Sequence, residues 1–306
     1  MPHTPISYKD KVVIITGAGG GLGRAHALEF ARLGAKVVIN DLGGALDGSG
    51  VNSAAAEAVV KEITDAGGTA IANGASVTDD AGVAHLVKQT MDTWGRIDVL
   101  VANAGILRDK SFGKMELKDF TAVMDVHLLG TVKPCKAVWE IMKAQGYGRI
   151  VVTTSSTGLY GNFGQTNYGA AMLSLVGFMN SLKLEGAKDN SKVNAVCPVA
   201  ATRMTEALMP PAVLEMLKPE FVSPAVVYLA SEEAPTGMIL TAAAGAFAAA
   251  QIMETDGINL GRNASADDIA AHFRQIADWS TAKHYGQGGE QNAKFLMRVQ
   301  DKPLLG

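Results

Sequence analysis

Lys11-Val-Val-Ile-Ile-Thr16-Gly17-Ala-Gly19-Gly-Gly21-Leu22-Gly23-Arg24 is the stretch that decides how this chain folds. After its lysine the run to Thr16 is almost continuously apolar, as expected of a strand buried on both faces of a parallel sheet. It passes directly into glycines, and residues Leu22 to Leu33 then carry helical periodicity. Glycines permit a tight turn and let phosphates approach the backbone, while the N-terminus of the following helix supplies N–H donors and positive potential. A glycine-rich loop alone is weak evidence; the flanking strand and helix are the context that gives it meaning.

The same alternation continues outward. Lys36–Asn40, Thr69–Ala72, Ile97–Ala102, Arg149–Thr154, Lys192–Cys197 and Met238–Ala243 read as strands. Between them Ser53–Ala66, Asp79–Trp94, a long segment from Leu117 through Gly130–Gln145, Gly169–Glu185 and Pro224–Ser231 read as helices. Strands alternating with helices predict an α/β fold with one Rossmann-type, doubly wound parallel sheet flanked by helices. Residues 1–260 make the nucleotide-binding domain in this reading. Residues 261–306 form a C-terminal extension with one amphipathic helix, Ser265–Trp279, suited to packing on a partner subunit.

Composition narrows the class. At 48% hydrophobic and 19% charged the chain has material for a substantial core, which excludes long disorder. A net charge of −3 without Lys/Arg clusters excludes a nucleic-acid partner. The longest apolar tract, Met238–Met253, is alanine-rich and shorter than a span of about 20 residues, so no membrane span is expected. Met1–Asp10 is too polar and short for a signal peptide, and a soluble, cytoplasmic protein is expected. Cys135 and Cys197 sit in apolar contexts as two buried, reduced thiols, and no metal site is expected.

The sheet's carboxyl edge then collects a cofactor site: Gly17, Gly19, Gly21, Leu22 and Gly23 at the first turn, and Asp41 at the end of the second strand. Asp41 stands where a carboxylate meets the adenosine ribose; it accepts from ribose hydroxyls and repels a 2′-phosphate, which favours NAD over NADP. Ser76 and Val77 after the third strand are placed near adenine, and Asn103 and Gly105 after the fourth line the dinucleotide.

The candidate catalytic stretch is Ser155-Ser-Thr-Gly-Leu-Tyr-Gly-Asn-Phe-Gly-Gln-Thr-Asn-Tyr168-Gly-Ala-Ala-Met172. A serine hydroxyl follows a strand, and a tyrosine opens a helix. Tyrosine titrates near pH 10 when unperturbed, so acid–base work near neutrality calls for a cation that favours phenolate. Position 172, one helical turn from Tyr168 on the same face, holds methionine, which fills the slot without charge or donor. Lys183, almost three turns further, is too far along the same helix to substitute.

Thr16-Gly17-x-x-x-Gly21-x-Gly23, Asn103-Ala-Gly105, Ser155 and Tyr168 together resemble the short-chain dehydrogenase/reductase family, over roughly residues 8 to 260. Val38–Gly44, Ala104–Asp109, Tyr160–Gln165, Arg203–Glu206 and Leu217–Glu220 look like its (3R)-hydroxyacyl-CoA dehydrogenase branch, the kind of domain carried by multifunctional enzymes of type 2. The resemblance implies that Tyr168 exchanges a proton with the substrate oxygen and Ser155 hydrogen-bonds it. It implies that Met172 replaces a lysine that lowers the tyrosine's pKa and holds the nicotinamide ribose. His127 stands where the family's relay asparagine lies, and Thr202 is the candidate contact to the nicotinamide amide. The segment Asp267–Thr281 is similar to that branch's extension, which implies a homodimer.

Three activities follow from this pattern: an NAD-dependent dehydrogenase acting on a small-molecule 3-hydroxyacyl-CoA or steroid-like substrate, slowed or with a substituted relay; a dehydrogenase-fold subunit that binds nucleotide or acyl-CoA and catalyses little; or a related reaction that needs Ser155 and Tyr168 but not the lysine. His127 is titratable near neutral pH and is a candidate relay, or a packed core histidine. Met204–Glu220, rich in Met and Pro, suits an apolar lid or core packing.

Overall fold

A computed structural model of the chain describes residues 5–45, 47–50, 52–201, 210–300 and 303–304. Thr202, and with it Met204, Leu208 and Met209 of the expected substrate segment, lies outside the described residues.

Among the described residues, eight strands form one sheet in the order β3-β2-β1-β4-β5-β6-β7-β8, from β1 (Val12–Thr16), β2 (Lys36–Asn40), β3 (Thr69–Asn73), β4 (Val99–Ala102), β5 (Gly148–Thr153), β6 (Ser191–Val199), β7 (Ile239–Ala243) and β8 (Ala246–Ala250). From β3 to β7 all pairings are parallel, with Val13 facing Val37 on one side and Val99 on the other. Every residue of β1 is buried, which is why its sequence lacks polar alternation. Crossover helices α1 (Gly21–Arg32), α2 (Ala54–Asp65), α3 (Asp80–Trp94), α4 (Leu117–Met124), α5 (Gly130–Gln145), α6 (Ser156–Tyr160), α7 (Thr166–Glu185), α8 (Pro211–Met216) and α9 (Ser223–Leu229) complete the sheet's layers. The sheet reverses direction of growth between β1 and β4, and ligands in such sheets sit outside the carboxyl ends at that point.

Three features depart from the expected pattern. The long helix expected from Leu117 is interrupted by a π segment, Asp125–Leu129, between α4 and α5. Strand β8 follows β7 through Ala244 and Gly245, whose positive φ angles (50 and 78) make the two-residue turn of a hairpin. Its sequence, Ala-Phe-Ala-Ala-Ala, carries little strand propensity and reads as plain apolar tract. A second helix, α11 (Gly288–Arg298), follows α10 (Ala266–Ile276) near the C-terminus. The chain divides into two compact units, one up to Ala249 and one from Ala250 on. In the second unit, Ser265 caps α10 with a full capping box to Asp268. No helix of the described residues is long and apolar enough to cross a membrane. Cys135 and Cys197 are buried and free.

Candidate active site

The turn after β1 is shaped by contacts that no side chain would fit. Gly17, at φ +64, brings its Cα so near β4's end that an added Cβ would lie 2.7 Å from Ala104 Cα. At Gly23 an added Cβ would lie 2.2 Å from the Gly17 carbonyl oxygen. Asn103 locks this packing: its Nδ2 donates to the carbonyls of Thr16 and Gly17, both at 3.1 Å. The Thr16 hydroxyl accepts from the backbone N–H groups of Asn103 and Ala104 at 3.0 and 3.1 Å. Helix α1 begins at Gly21 behind Gly20, with no side-chain cap on its first N–H groups.

Asp41 stands opposite. Its Oδ2 accepts from Gly19 N–H at 2.7 Å and its Oδ1 from Gly43 N–H at 2.7 Å, and each oxygen keeps a lone pair for another donor. A cavity of about 280 Å³ opens between these elements, lined among others by Gly17, Gly21, Leu22, Asp41, Asn103 and Gly105. Ser76 and Val77 lie on its wall, with the Ser76 hydroxyl hydrogen-bonded to that of Thr78 at 2.9 Å. Of the expected cofactor positions, Gly19 and Gly23 shape this cavity from behind: Gly19 through Asp41, Gly23 through Gly17.

Around Tyr168 the catalytic candidates come together. Ser155 follows β5 and caps α6, its Oγ accepting from Thr157 N–H at 3.2 Å. The His127 ring meets the Tyr168 ring edge to face, 5.2 Å between centroids. The same imidazole presses on Gly105, where an added Cβ would lie 2.3 Å from His127 Cε1, so His127 connects the cavity wall to Tyr168. Its Nε2 lies 2.8 Å from Ile106 O and 3.1 Å from Ile106 N, and burial lowers its pKa to about 4. The ring is therefore neutral at physiological pH and committed to backbone.

Burial raises the Tyr168 pKa above its ordinary value; a hydrogen bond with Ser155 pulls it back in part, and the Asp109 carboxylate and Cys197 push it further up. No cation is among the groups that act on it among the described residues. Met172, one turn along α7, is 1% exposed. Its carbonyl accepts from Thr154 Oγ1 at 2.8 Å, and the turn at Gly158 packs so closely that an added Cβ would lie 2.6 Å from Met172 Cβ. The Lys183 amine lies against Gly237, where an added Cβ would come within 2.7 Å of Nζ, in line with its distance along the helix.

The structure adds residues that sequence reasoning passed over. Asn40 closes β2 with Nδ2 bonds to Asn73 Oδ1 and Ala75 O, both 2.9 Å, and lines the cavity; a polar residue ending an apolar strand was the available signal. Asn167 is fully buried, donating to Arg108 O at 3.0 Å while its Oδ1 accepts Tyr168 N–H at 2.8 Å. Gln165 donates to Asp109 Oδ2 at 2.6 Å and accepts from Thr157 Oγ1 at 2.9 Å, tying the Asp109 loop to α6 and the start of α7.

Known proteins match this arrangement. A short-chain type dehydrogenase/reductase of Mycobacterium tuberculosis is 50% identical over 279 residues, covering 91% of this chain and 98% of its own. Peroxisomal multifunctional enzyme A of Dictyostelium discoideum is 43% identical, over 98% of this chain and 68% of its own. The mouse peroxisomal multifunctional enzyme type 2 is 51% identical over 75% of this chain, a match that spans only 31% of that longer protein. Among solved structures, the full-length Drosophila melanogaster peroxisomal multifunctional enzyme type 2 superposes with a TM-score of 0.82 at 36% identity, covering 96% of this chain and 50% of that one. A 7α-hydroxysteroid dehydrogenase solved with NADH and 7-oxo glycochenodeoxycholic acid superposes with a TM-score of 0.70 at 28% identity, over 78% of this chain and 95% of that one. Residues 11–211 match the short chain dehydrogenase family, and the chain, with its glycine turn, Asn103 lock and Ser155–Tyr168 pair, belongs to that family of oxidoreductases.

Proposed function

We propose that this protein is an NAD-dependent oxidoreductase that interconverts a secondary alcohol and a ketone on a 3-hydroxyacyl-CoA or steroid-type substrate. The observation that carries the reading is the Ser155–Tyr168 pair joined, through His127 and Gly105, to a cavity walled by the glycine turn and Asp41. The resemblance of Ala104–Asp109 and Tyr160–Gln165 to the (3R)-hydroxyacyl-CoA dehydrogenase branch supports the acyl-CoA class, and the bile-acid derivative in the hydroxysteroid dehydrogenase supports the steroid class.

The residues fit a nicotinamide dinucleotide. Uncapped N–H groups of α1 and the side-chain-free turn suit a pyrophosphate, and the spare lone pairs of Asp41 suit ribose hydroxyls while repelling a 2′-phosphate. When bound, the nicotinamide supplies or accepts the hydride. Ser155 holds the substrate oxygen, and Tyr168 hands over or takes the proton. With its pKa raised, Tyr168 is a neutral phenol through the physiological range, ready as a donor and poorly populated as a base. Oxidation of the alcohol therefore accelerates steadily above pH 8, whereas reduction of the ketone runs near neutrality. A missing acid–base assistant costs about 10²–10⁴ in rate. A missing charged hydrogen bond to ribose weakens binding by about 1.5–3 kcal/mol.

The second reading is a dehydrogenase-fold subunit that binds nucleotide or acyl-CoA and turns over little, and Met172 in the lysine position favours it. Titration with NADH and NADPH, followed by cofactor oxidation with short, long and steroid-bearing 3-oxoacyl-CoA, separates the two. Turnover lost in Tyr168→Phe supports the enzyme; NADH binding without turnover on any substrate supports the subunit. A homodimer is part of the proposal, with half-exposed Leu173 and Leu184 on α7 and exposed Phe273 and Trp279 in the second unit as apolar surface to cover; light scattering in solution tests it.

A further inference from the structure

The loop after β2 is closed at its base, where Asn52 N–H donates to Leu42 O at 2.9 Å. Gly43, at φ +71, packs against Asn52 so tightly that an added Cβ would fall 1.7 Å from its carbonyl oxygen. Compact loops with joined ends are frequently functional. Gly44, Ala45 and Gly48 of this loop line the nucleotide cavity.

Two fastenings hold the loop there. The first is Asp41, which accepts from Gly43 N–H at 2.7 Å. The second is Arg108, from the segment after β4. Its Nε and Nη2 both donate to the Asp47 carbonyl at 3.0 Å, and its Nη1 reaches Asp119 Oδ1 at 3.3 Å. Lys110 pairs with the other Asp119 oxygen at 3.1 Å, which leaves the fork of Arg108 turned to the loop. Beside this fork Gly48, at φ +86, sits on Ile106, where an added Cβ would lie 3.2 Å from Cγ2. On its far side, Arg108 O accepts from Asn167, the residue before Tyr168.

We propose that Arg108 is a latch: its guanidinium, through Asp47, holds the loop after β2 closed over the nucleotide cavity and so sets how long a bound dinucleotide stays. The inference rests on the nicotinamide reading above. A lysine cannot replace the latch, because two nitrogens of one planar fork converge on a single carbonyl while a third meets a carboxylate. The Asn167 side chain donates to the Arg108 carbonyl and accepts from the Tyr168 N–H, so cofactor retention and the placement of Tyr168 are linked through it.

The test uses the native protein, Arg108→Gln, Arg108→Lys and Gly48→Ala. Hydrogen exchange without cofactor reads the loop directly, and stopped-flow displacement of NADH reads residence. Arg108→Gln is expected to speed exchange at residues 47–50 and to raise the NADH dissociation rate about tenfold, the loss of charged hydrogen bonds being discounted for partial exposure. Arg108→Lys follows Gln rather than native. Gly48→Ala loosens the same roof from its other edge and decides the matter if Arg108→Gln fails to fold. Loop exchange and dissociation both within about twofold of native in the folded variants overturn the latch, since interface changes of this kind are read mainly in dissociation. An opened loop with unchanged dissociation also overturns it. Opening of the loop in a protein whose native form binds no NADH overturns the nicotinamide reading instead and leaves the latch standing as a structural closure.

Discussion

From Thr16 to Gly105 the nucleotide half of the site is fixed by backbone: Gly17 and Gly23 pack where a Cβ has no room, and Asn103 and Asp41 spend their polar atoms on main-chain groups. Around Tyr168 the positions are just as tight, yet what matters there is charge. The tyrosine is buried beside Ser155, the neighbouring carboxylate of Asp109 raises its pKa, and the turn that would carry a cation carries buried Met172. The first half depends on shape, and its features survive in any sequence that keeps these glycines together with Asn103 and Asp41. The second depends on one group of one side chain, so a single substitution leaves the geometry intact while changing the chemistry.

The contrast yields its largest expected effect at Tyr168. Tyr168→Phe is expected to lower turnover of a 3-oxoacyl-CoA by about 10²–10⁴ while NADH affinity, measured by fluorescence titration, stays near native. Full activity in that variant would contradict the catalytic half. In the nucleotide half, Gly23→Ala places a methyl 2.2 Å from the Gly17 oxygen, and overpacking of this kind costs about 1–3 kcal/mol or more. A urea midpoint equal to native would show that the turn yields where the contacts say it cannot.

Two buried histidines, His26 and His127, sharpen the comparison through pH. Burial lowers the pKa of His127 to about 4 and that of His26 to about 3. An unfolded chain takes up a proton on each below its ordinary value of about 6.5, so the stability these neutral rings contribute is full above that pH. It is lost as pH falls, through about 4 for His127 and about 3 for His26, with a slope of about 1.4 kcal/mol per pH unit for each. His127→Asn is expected to remove its share of the slope between pH 6.5 and 4 in denaturant titrations; an unchanged slope would mean that His127 is charged in the folded protein. The smallest effect is at Asp41: replacement by Ala frees Gly19 and Gly43 N–H groups and removes the ribose acceptor. NADH binding is expected to weaken about tenfold, with discrimination against NADPH reduced. A variant that still rejects NADPH as native does would move the discrimination to another residue.

Much of this architecture is legible in the chain because it is local. Strand β1, its glycine turn and α1 are adjacent in sequence, and burial on both faces leaves a continuous apolar signature. Met172 is legible for the same reason, one helical turn from Tyr168. What stays hidden is non-local. Arg108 meets Asp47 across the fold, and Gln165 meets Asp109 the same way, with no spacing rule to announce either pair. The π segment at Asp125–Leu129 keeps helical periodicity and so reads as plain helix, although it is what aims His127 at Ile106. Strand β8 escapes because alanine favours helix and is depleted in strands, and its hairpin turn places a non-glycine residue, Ala244, at positive φ.

The most direct measurement is NAD reduction by the native protein and Met172→Lys, side by side across pH, with short, long and steroid-bearing 3-hydroxyacyl-CoA. A lysine at 172 places a cation one turn from Tyr168, and the account predicts a gain of about tenfold or more near neutral pH, with the oxidative pH limb moved to lower pH. Rapid turnover by the native protein that the lysine does not improve would contradict the claim that the missing cation limits the chemistry of this site.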